Sequence, residues 1–117
     1  MYEDIKAQWT ADLRSNRYQQ GYIGWLREES GENVLWCPLG LLAQRAVWAG
    51  VTEWEPPFQL GSGNLAYWLK LGPSGEDMVD VYEWAGLTSD DADAVVYRND
   101  TLRLSFAELA DFIDEYL

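Results

Sequence analysis

Cys37 is the strongest nucleophile that the amino-acid sequence offers, and it is the only cysteine. It lies directly before Pro38, the predicted start of a helix, and the dipole at a helix N-terminus lowers the pKa of a nearby thiol. The chain has no histidine to act as its general base. Trp36 and Pro38 on either side favour a buried setting. We therefore predict a buried structural thiol, with a reactive cysteine as the alternative.

Carboxylates are the other groups whose spacing could carry chemistry. Asp90, Asp91 and Asp93 offer the oxygen ligands that Ca²⁺ and Mg²⁺ prefer, but the glycine and the distal glutamate of an EF-hand are missing. We predict a solvated acidic loop there and no metal site. Two more sets of carboxylates have helical spacing, namely Asp77, Asp80 and Glu83, and Glu108, Asp111 and Glu115.

These two helical sets have three interpretations. A pair of carboxylates hydrolyses glycosides only when a cleft sets their separation, and the sequence shows no sign of a cleft. Carboxylates three or four residues apart lie about 5–6 Å apart along a helix axis. This spacing is similar to that of successive phosphates, so the sets could mimic a nucleic-acid backbone. The simplest alternative is a solvated helical surface. We predict no catalytic residue, no enzyme and no cofactor.

Four helices are predicted to position these groups. Apolar residues recur every fourth residue from Ile5 to Leu13 and predict a helix over 2–15. Proline at position 38 and glycine at position 50 mark the ends of a second helix over 38–49. A short third helix begins with a capping pair of Ser74 and Asp77 and ends at position 86. A capping box of Ser105 and Glu108 begins the last helix.

Strands are predicted between these helices. A hairpin is expected within 18–37, with strands near 22–26 and 34–36 and a turn at 29–32. Prolines make 53–58 extended, and a strand over 65–71 follows a turn at 61–64. An acidic loop over 87–93 leads to a second hairpin over 95–104, with its turn at 98–100. The order predicts one compact α+β domain over 1–117, with about four helices packed on short antiparallel hairpins.

The seven tryptophans exceed what a core of this size needs. We expect one or two of them to face solvent, where tryptophan serves as an interface anchor. Trp54, in the proline-stiffened segment 53–58, is the first candidate, and Trp48 is the second.

The charge is unevenly distributed along the 117 residues. The chain has a formal net charge of −12, of which residues 1–75 carry −2 and residues 76–117 carry −10. Such a field repels nucleic acid and anionic membranes and attracts a basic partner. The alternative is that the charge only keeps the chain in solution.

No apolar run reaches the ~20 residues of a membrane span, and one cysteine makes no internal disulfide. We expect a cytoplasmic protein.

Four short stretches resemble one group of small proteins encoded by bacteriophages and prophages. They are 13–21 (LRSNRYQQG), 36–42 (WCPLGLL), 84–87 (WAGL) and 98–100 (RND) running into 105–113 (SFAELADFI). Members of this group carry further cysteines around the position of Cys37, which are absent here. The resemblance implies a phage accessory protein that acts inside a bacterium, and it implies no catalytic residue.

Two functions are consistent with these observations. The first is an inhibitor that binds a host protein with a basic surface, such as a defence or nucleic-acid-binding protein, and blocks it by occlusion or nucleic-acid mimicry. Its binding residues would be the carboxylates named above together with Trp54. The second is a protein that binds or sequesters a nucleotide signal, for which a homo-oligomer could form the pocket between its subunits. Its phosphate ligands would come from Arg14, Arg17, Lys70 and Arg98.

Overall fold

The computed structural model describes residues 1–22, 24–73 and 75–117. The expected strand position of Ile23 and the expected helix cap at Ser74 therefore lie outside the described residues. The described chain is an α+β domain with five helices and one five-stranded mixed sheet. The helices are α1 (Glu3–Arg14), α2 (Pro38–Trp48), α3 (Val79–Ala85), α4 (Ser89–Asp100) and α5 (Phe106–Tyr116). The strands are β1 (Gln19–Gln20), β2 (Arg27–Ser30), β3 (Asn33–Trp36), β4 (Phe58–Gln59) and β5 (Leu65–Tyr67).

The sheet has the strand order β1-β3-β2-β5-β4. β1 runs parallel to β3, and the other neighbouring strands are antiparallel. The predicted hairpin within 18–37 is confirmed as β2 and β3, which pair Ser30 with Asn33 around a two-residue turn. Its first strand was predicted too early in the chain. β2 begins at Arg27, which pairs with Trp36 on one side and Tyr67 on the other, and the rings of Trp36, Trp54 and Tyr67 surround its guanidinium.

The second predicted hairpin and the acidic loop before it are wrong, because 89–100 forms the helix α4. Its cap is Thr88, whose side-chain oxygen accepts a hydrogen bond from the Asp91 N–H at 3.1 Å. Ala92, Val95 and Asn99 are fully buried at helical spacing. Burial on this face outweighs the β propensity of the two valines, which alone had favoured a strand. The described residues thus contain five helices where about four were predicted.

The predicted apolar pattern of α1 is confirmed. Ile5, Trp9 and Leu13 of α1 are buried, and α1 packs chiefly against α5 and also against α2. The capping box of Ser105 and Glu108 begins α5 as expected. None of the described helices is both long and apolar enough to cross a membrane.

The first turn of α2 joins the helices to the sheet. The Cys37 N–H donates to the Leu26 carbonyl at 3.1 Å, just before β2. The indole N–H of Trp9 donates to the Pro38 carbonyl at 2.8 Å, which holds α1 against the same turn. Gly40 packs directly on the backbone of Leu26, where a β-carbon would overlap the Leu26 carbonyl oxygen. A side chain at position 40 would therefore push α2 away from the sheet.

We expect Gly40→Ala to destabilise the protein, although alanine normally favours a helix over glycine by about 1 kcal/mol. The new β-carbon would lie 2.7 Å from the Leu26 carbonyl carbon, and such overpacking typically costs about 1–3 kcal/mol. Urea unfolding followed by tryptophan fluorescence measures the change in free energy.

Gly61→Ala is the matched control, because a β-carbon at position 61 meets nothing within 4 Å. Its free energy of unfolding should stay within about 0.5 kcal/mol of the parent. Equal stability of the Gly40→Ala and Gly61→Ala variants would show that the close approach of α2 to Leu26 is not required.

Candidate partner-binding surface

Carboxylates without basic partners cover the segment that includes α3 and the start of α4. Within the described part of the chain, none of its six predicted site carboxylates forms an ion pair with lysine or arginine. They are Asp77, Asp80, Glu83, Asp90, Asp91 and Asp93. We call this set the acidic surface. Asp90 and Asp91 lie in the first turn of α4, where the helix dipole stabilises negative charge without neutralising it.

The members of the acidic surface differ in exposure. Glu83, Asp90 and Asp93 are exposed, whereas the half-buried Asp80 places its carboxylate against the backbone of Gly72. The side chain of Asp77 reaches solvent, but desolvation of its carboxyl raises its pKa above the ordinary value. Glu83, Asp90 and Asp93 are therefore the exposed members whose replacement disturbs the packing of the chain least.

Tyr82 reports the negative field beside α3. The pKa of its hydroxyl is raised to about 12, chiefly by burial, and charges on Asp93, Cys37 and Asp77 contribute to the same shift. These two carboxylates are far apart in sequence, yet both act on one hydroxyl. The fold thus concentrates charge that the sequence spreads over two elements.

The carboxylates of α5 differ from the acidic surface because most of them are engaged within the chain. The Arg14 guanidinium lies 2.8 Å from carboxylate oxygens of both Asp111 and Asp114, and its hydrogen bonds to them raise the pKa of Arg14. The Glu108 side chain accepts from the Ser105 N–H at 3.0 Å in the capping box. Glu115 is exposed. The predicted α5 set therefore contributes less uncompensated charge than the α3 and α4 residues.

The four basic residues expected to bind phosphate are mostly engaged as well. Arg14 is held by α5, and Lys70 lies 3.1 Å from Glu53 in an ion pair. Arg98 places its guanidinium 3.9 Å from the centre of the Phe112 ring, while Arg17 is exposed. Lys70 and Glu53 line a cleft of about 430 Å³ at the end of α2, where the helix dipole places negative charge. These electrostatics disfavour an anionic ligand in that cleft.

Trp54 is not the exposed anchor that the sequence predicted. It is half-buried, its indole N–H donates to the Gln44 side chain at 3.1 Å, and its ring contacts Trp36 and Tyr67 edge to face. The reason is that Trp54 bridges to Leu69 beside the sheet, which turns the indole inward. Trp48 is exposed as expected, with 61% of its surface accessible.

An aromatic surface that the sequence analysis missed lies on the outer face of the sheet. Its members are 39–43% exposed. Phe58 pairs with Ala66, so the two side chains share a face of the sheet, and Trp68 lies two residues after Ala66 on that same face. Trp36 and Tyr67 lie on the opposite face. Trp25 contacts Phe58 at 5.1 Å between ring centres. We call this set, which is Tyr22, Trp25, Phe58 and Trp68, the outer aromatic face.

The period-two alternation within 65–71 was the signal that could have revealed this surface. It places the side chains of Ala66 and Trp68 on one face and those of Leu65, Tyr67 and Leu69 on the other. Phe58 could not be assigned in the same way, because its pairing depends on the loop that connects β4 to β5.

The geometry supports neither a reactive Cys37 nor, among the described residues, a metal site. Burial of the Cys37 thiol raises its pKa from 9.0 to about 11, in spite of hydrogen bonds to backbone N–H groups that lower it. Among the described residues, no three or more histidine, cysteine or acidic side chains form a group that could hold a metal ion. Asp90, Asp91 and Asp93 lie on α4 and do not form the loop that was predicted.

Comparison with known proteins finds one family. Its model, described as a domain of unknown function (DUF8296), matches residues 1–112. Searches of curated proteins and of solved structures find no match.

We expect Cys37 to react slowly with thiol reagents in the native protein. A pKa of about 11 reduces the thiolate fraction at pH 8 by about a hundredfold relative to the ordinary value. Labelling with iodoacetamide, followed by mass spectrometry, should be slow at pH 8 and should accelerate as the pH approaches 11. The urea-unfolded chain is the control and should react at the rate of a free cysteine; equal rates for the native and unfolded chains at pH 8 would contradict the shift.

Proposed function

We propose that this chain, which belongs to the DUF8296 family, is a small acidic interaction protein that binds a basic surface of a bacterial host protein and blocks it. The observation that carries the proposal is the acidic surface, whose six carboxylates form no ion pair within the described residues. Charge left uncompensated at such density destabilises the isolated protein. A partner that supplies the missing positive charge would relieve this repulsion.

The distribution of the basic residues supports the same conclusion. Arg14 neutralises two carboxylates of α5, and Arg45 makes two hydrogen bonds of 2.7 and 2.8 Å to the buried Asp12. Arg14 of α1 and Arg45 of α2 are thus engaged elsewhere, and among the described residues no lysine or arginine forms an ion pair with the acidic surface. Opposite charges across an interface accelerate association and suppress wrong partners. A basic groove that normally holds nucleic acid has the complementary charge.

The phage-type stretches support the proposed setting. A small accessory protein that acts by occlusion inside an infected bacterium needs no catalytic apparatus. Covering the nucleic-acid-binding groove of the target protein is sufficient to inhibit it. The exposed Trp48 offers apolar area of the kind that anchors such interfaces.

We expect replacement of Glu83, Asp90 and Asp93 by lysine to weaken binding at least about tenfold, because each exposed change turns an attraction into a repulsion. The tagged chain is used to capture host proteins from bacterial lysate, and each captured protein is then tested for loss of nucleic-acid binding. Raising the salt concentration should also weaken capture, since exposed charges lose their reach beyond about 8–10 Å at physiological ionic strength.

The control variant carries lysine at Glu3, Asp4 and Glu32, which makes the same change in net charge at exposed positions outside the acidic surface. Asp12 is unsuitable for this control because it is buried against Arg45. The control should bind nearly as well as the parent. Equal capture by all three proteins, or capture that salt leaves unchanged, would overturn the electrostatic mechanism.

A further inference from the structure

A small cleft opens on the outer face of the sheet, beside the outer aromatic face. Its volume is about 60 Å³, and it is lined by Gly21, Tyr22, Trp25, Glu28 and Leu35. Since one water needs about 10–15 Å³, the cleft has room for the end of one side chain and not for a nucleotide. Two aromatic side chains and one carboxylate therefore surround a space of limited size.

The floor of the cleft is held firmly by the backbone. The Gly21 N–H donates to the Trp36 carbonyl at 2.8 Å, and the Gly21 carbonyl accepts from the side chain of the buried Asn99 at 3.0 Å. A β-carbon at position 21 would lie 3.0 Å from the Leu35 β-carbon. Glycine at this position thus keeps space open between the aromatic side chains and the strand.

Glu28 supplies a negative charge that no basic group neutralises among the described residues. One of its carboxylate oxygens accepts from the Asn64 side chain at 2.7 Å, which orients the group without cancelling its charge. β2 pairs with a neighbour on each side, so the backbone that carries Glu28 is fixed. The cleft therefore contains a preorganised carboxylate.

The chain itself shows that an aromatic ring of the cleft accepts a cation. The Arg103 guanidinium lies 4.3 Å from the centre of the Tyr22 ring, within the roughly 6 Å range of cation–π attraction. Arg103 does not belong to the residues that line the cleft. The Tyr22 ring is therefore placed to attract positive charge, and the space beside Glu28 remains open.

We propose that this cleft binds the ammonium or guanidinium group of a lysine or arginine side chain presented by the partner. Attraction to the aromatic rings that line the cleft and a charge-assisted hydrogen bond to Glu28 would act on the same cation. The inference rests on the proposed function, because it names the chemistry through which a basic partner is anchored.

The cleft and the acidic surface can engage one partner together. Asn99, near the end of α4, bonds to the floor of the cleft, while Asp90 and Asp93 lie near its beginning. The twelve residues of α4 span about 18 Å, a distance that a single basic domain covers.

The test is an NMR titration of the ¹⁵N-labelled chain with N-acetyl-arginine methylamide and N-acetyl-lysine methylamide. The neutral N-acetyl-glutamine methylamide is the control probe. We expect saturable shifts of the Trp25 indole N–H and the Glu28 amide with the two cationic probes only. Glu28→Gln should weaken their binding at least fivefold, because it removes the charge and keeps the shape of the side chain.

Two further variants keep the result interpretable. Trp25→Leu should also weaken binding of the cationic probes, whereas Tyr97→Leu should leave it unchanged, because Tyr97 is exposed on α4 and lies outside the cleft. Equal shifts with the neutral probe, or unchanged binding by Glu28→Gln, would overturn the proposal.

The same measurements separate this inference from the proposed function. If the cationic probes do not bind but lysine at Glu83, Asp90 and Asp93 still abolishes capture, the cleft proposal fails alone. If the probes bind in the cleft but that charge reversal has no effect on capture, the proposed use of the acidic surface fails alone.

Discussion

The close approach of α2 to the backbone of Leu26 is the constraint on which the rest of the structure depends. It needs a glycine at position 40, and it is accompanied by a hydrogen bond from the Cys37 N–H to the Leu26 carbonyl. The Trp9 indole bonds to the Pro38 carbonyl in the same turn. One helical turn therefore sets the distance between the sheet and the helices and the position of α1. Burial of the apolar face of α2 drives the packing of this helix, and these contacts determine how the helix is placed on the sheet.

This arrangement also separates the sheet from α3 and α4. One face of the sheet is covered around Trp36 and Leu69, and aromatic side chains remain exposed on the other face. The acidic surface consists of Asp77, just before α3, and carboxylates of α3 and α4, and its members take no part in the ion pairs that neutralise α5. Asn99 connects the two regions, since its side chain bonds to Gln20 and to the Gly21 carbonyl and is completely buried. A buried amide with several partners restricts how these regions can move relative to each other.

Local signals predicted those elements whose boundaries are encoded by a few adjacent residues. Proline at 38, the capping box of Ser105 and Glu108, and the spacing of Ile5, Trp9 and Leu13 each act within one or two helical turns. The same kind of signal failed for α4. Val95 and Val96 favour a strand locally, and the packing of Val95 and Asn99 into the core outweighs that preference. Thr88, whose side chain caps α4, is the local signal that could have indicated this helix.

The sequence by itself determined the α+β class, the acidic C-terminal third, the ends of α2 and the beginning of α5. These properties depend on composition, on helical periodicity or on neighbouring residues. The tertiary structure alone decided which charges remain uncompensated, because Arg14 meets Asp111 and Asp114 across nearly a hundred residues. It also turned Trp54 inward and placed Tyr22, Trp25 and Glu28 around one cleft. Strand pairing and helix packing bring such groups together, and neither leaves a short-range pattern in the sequence.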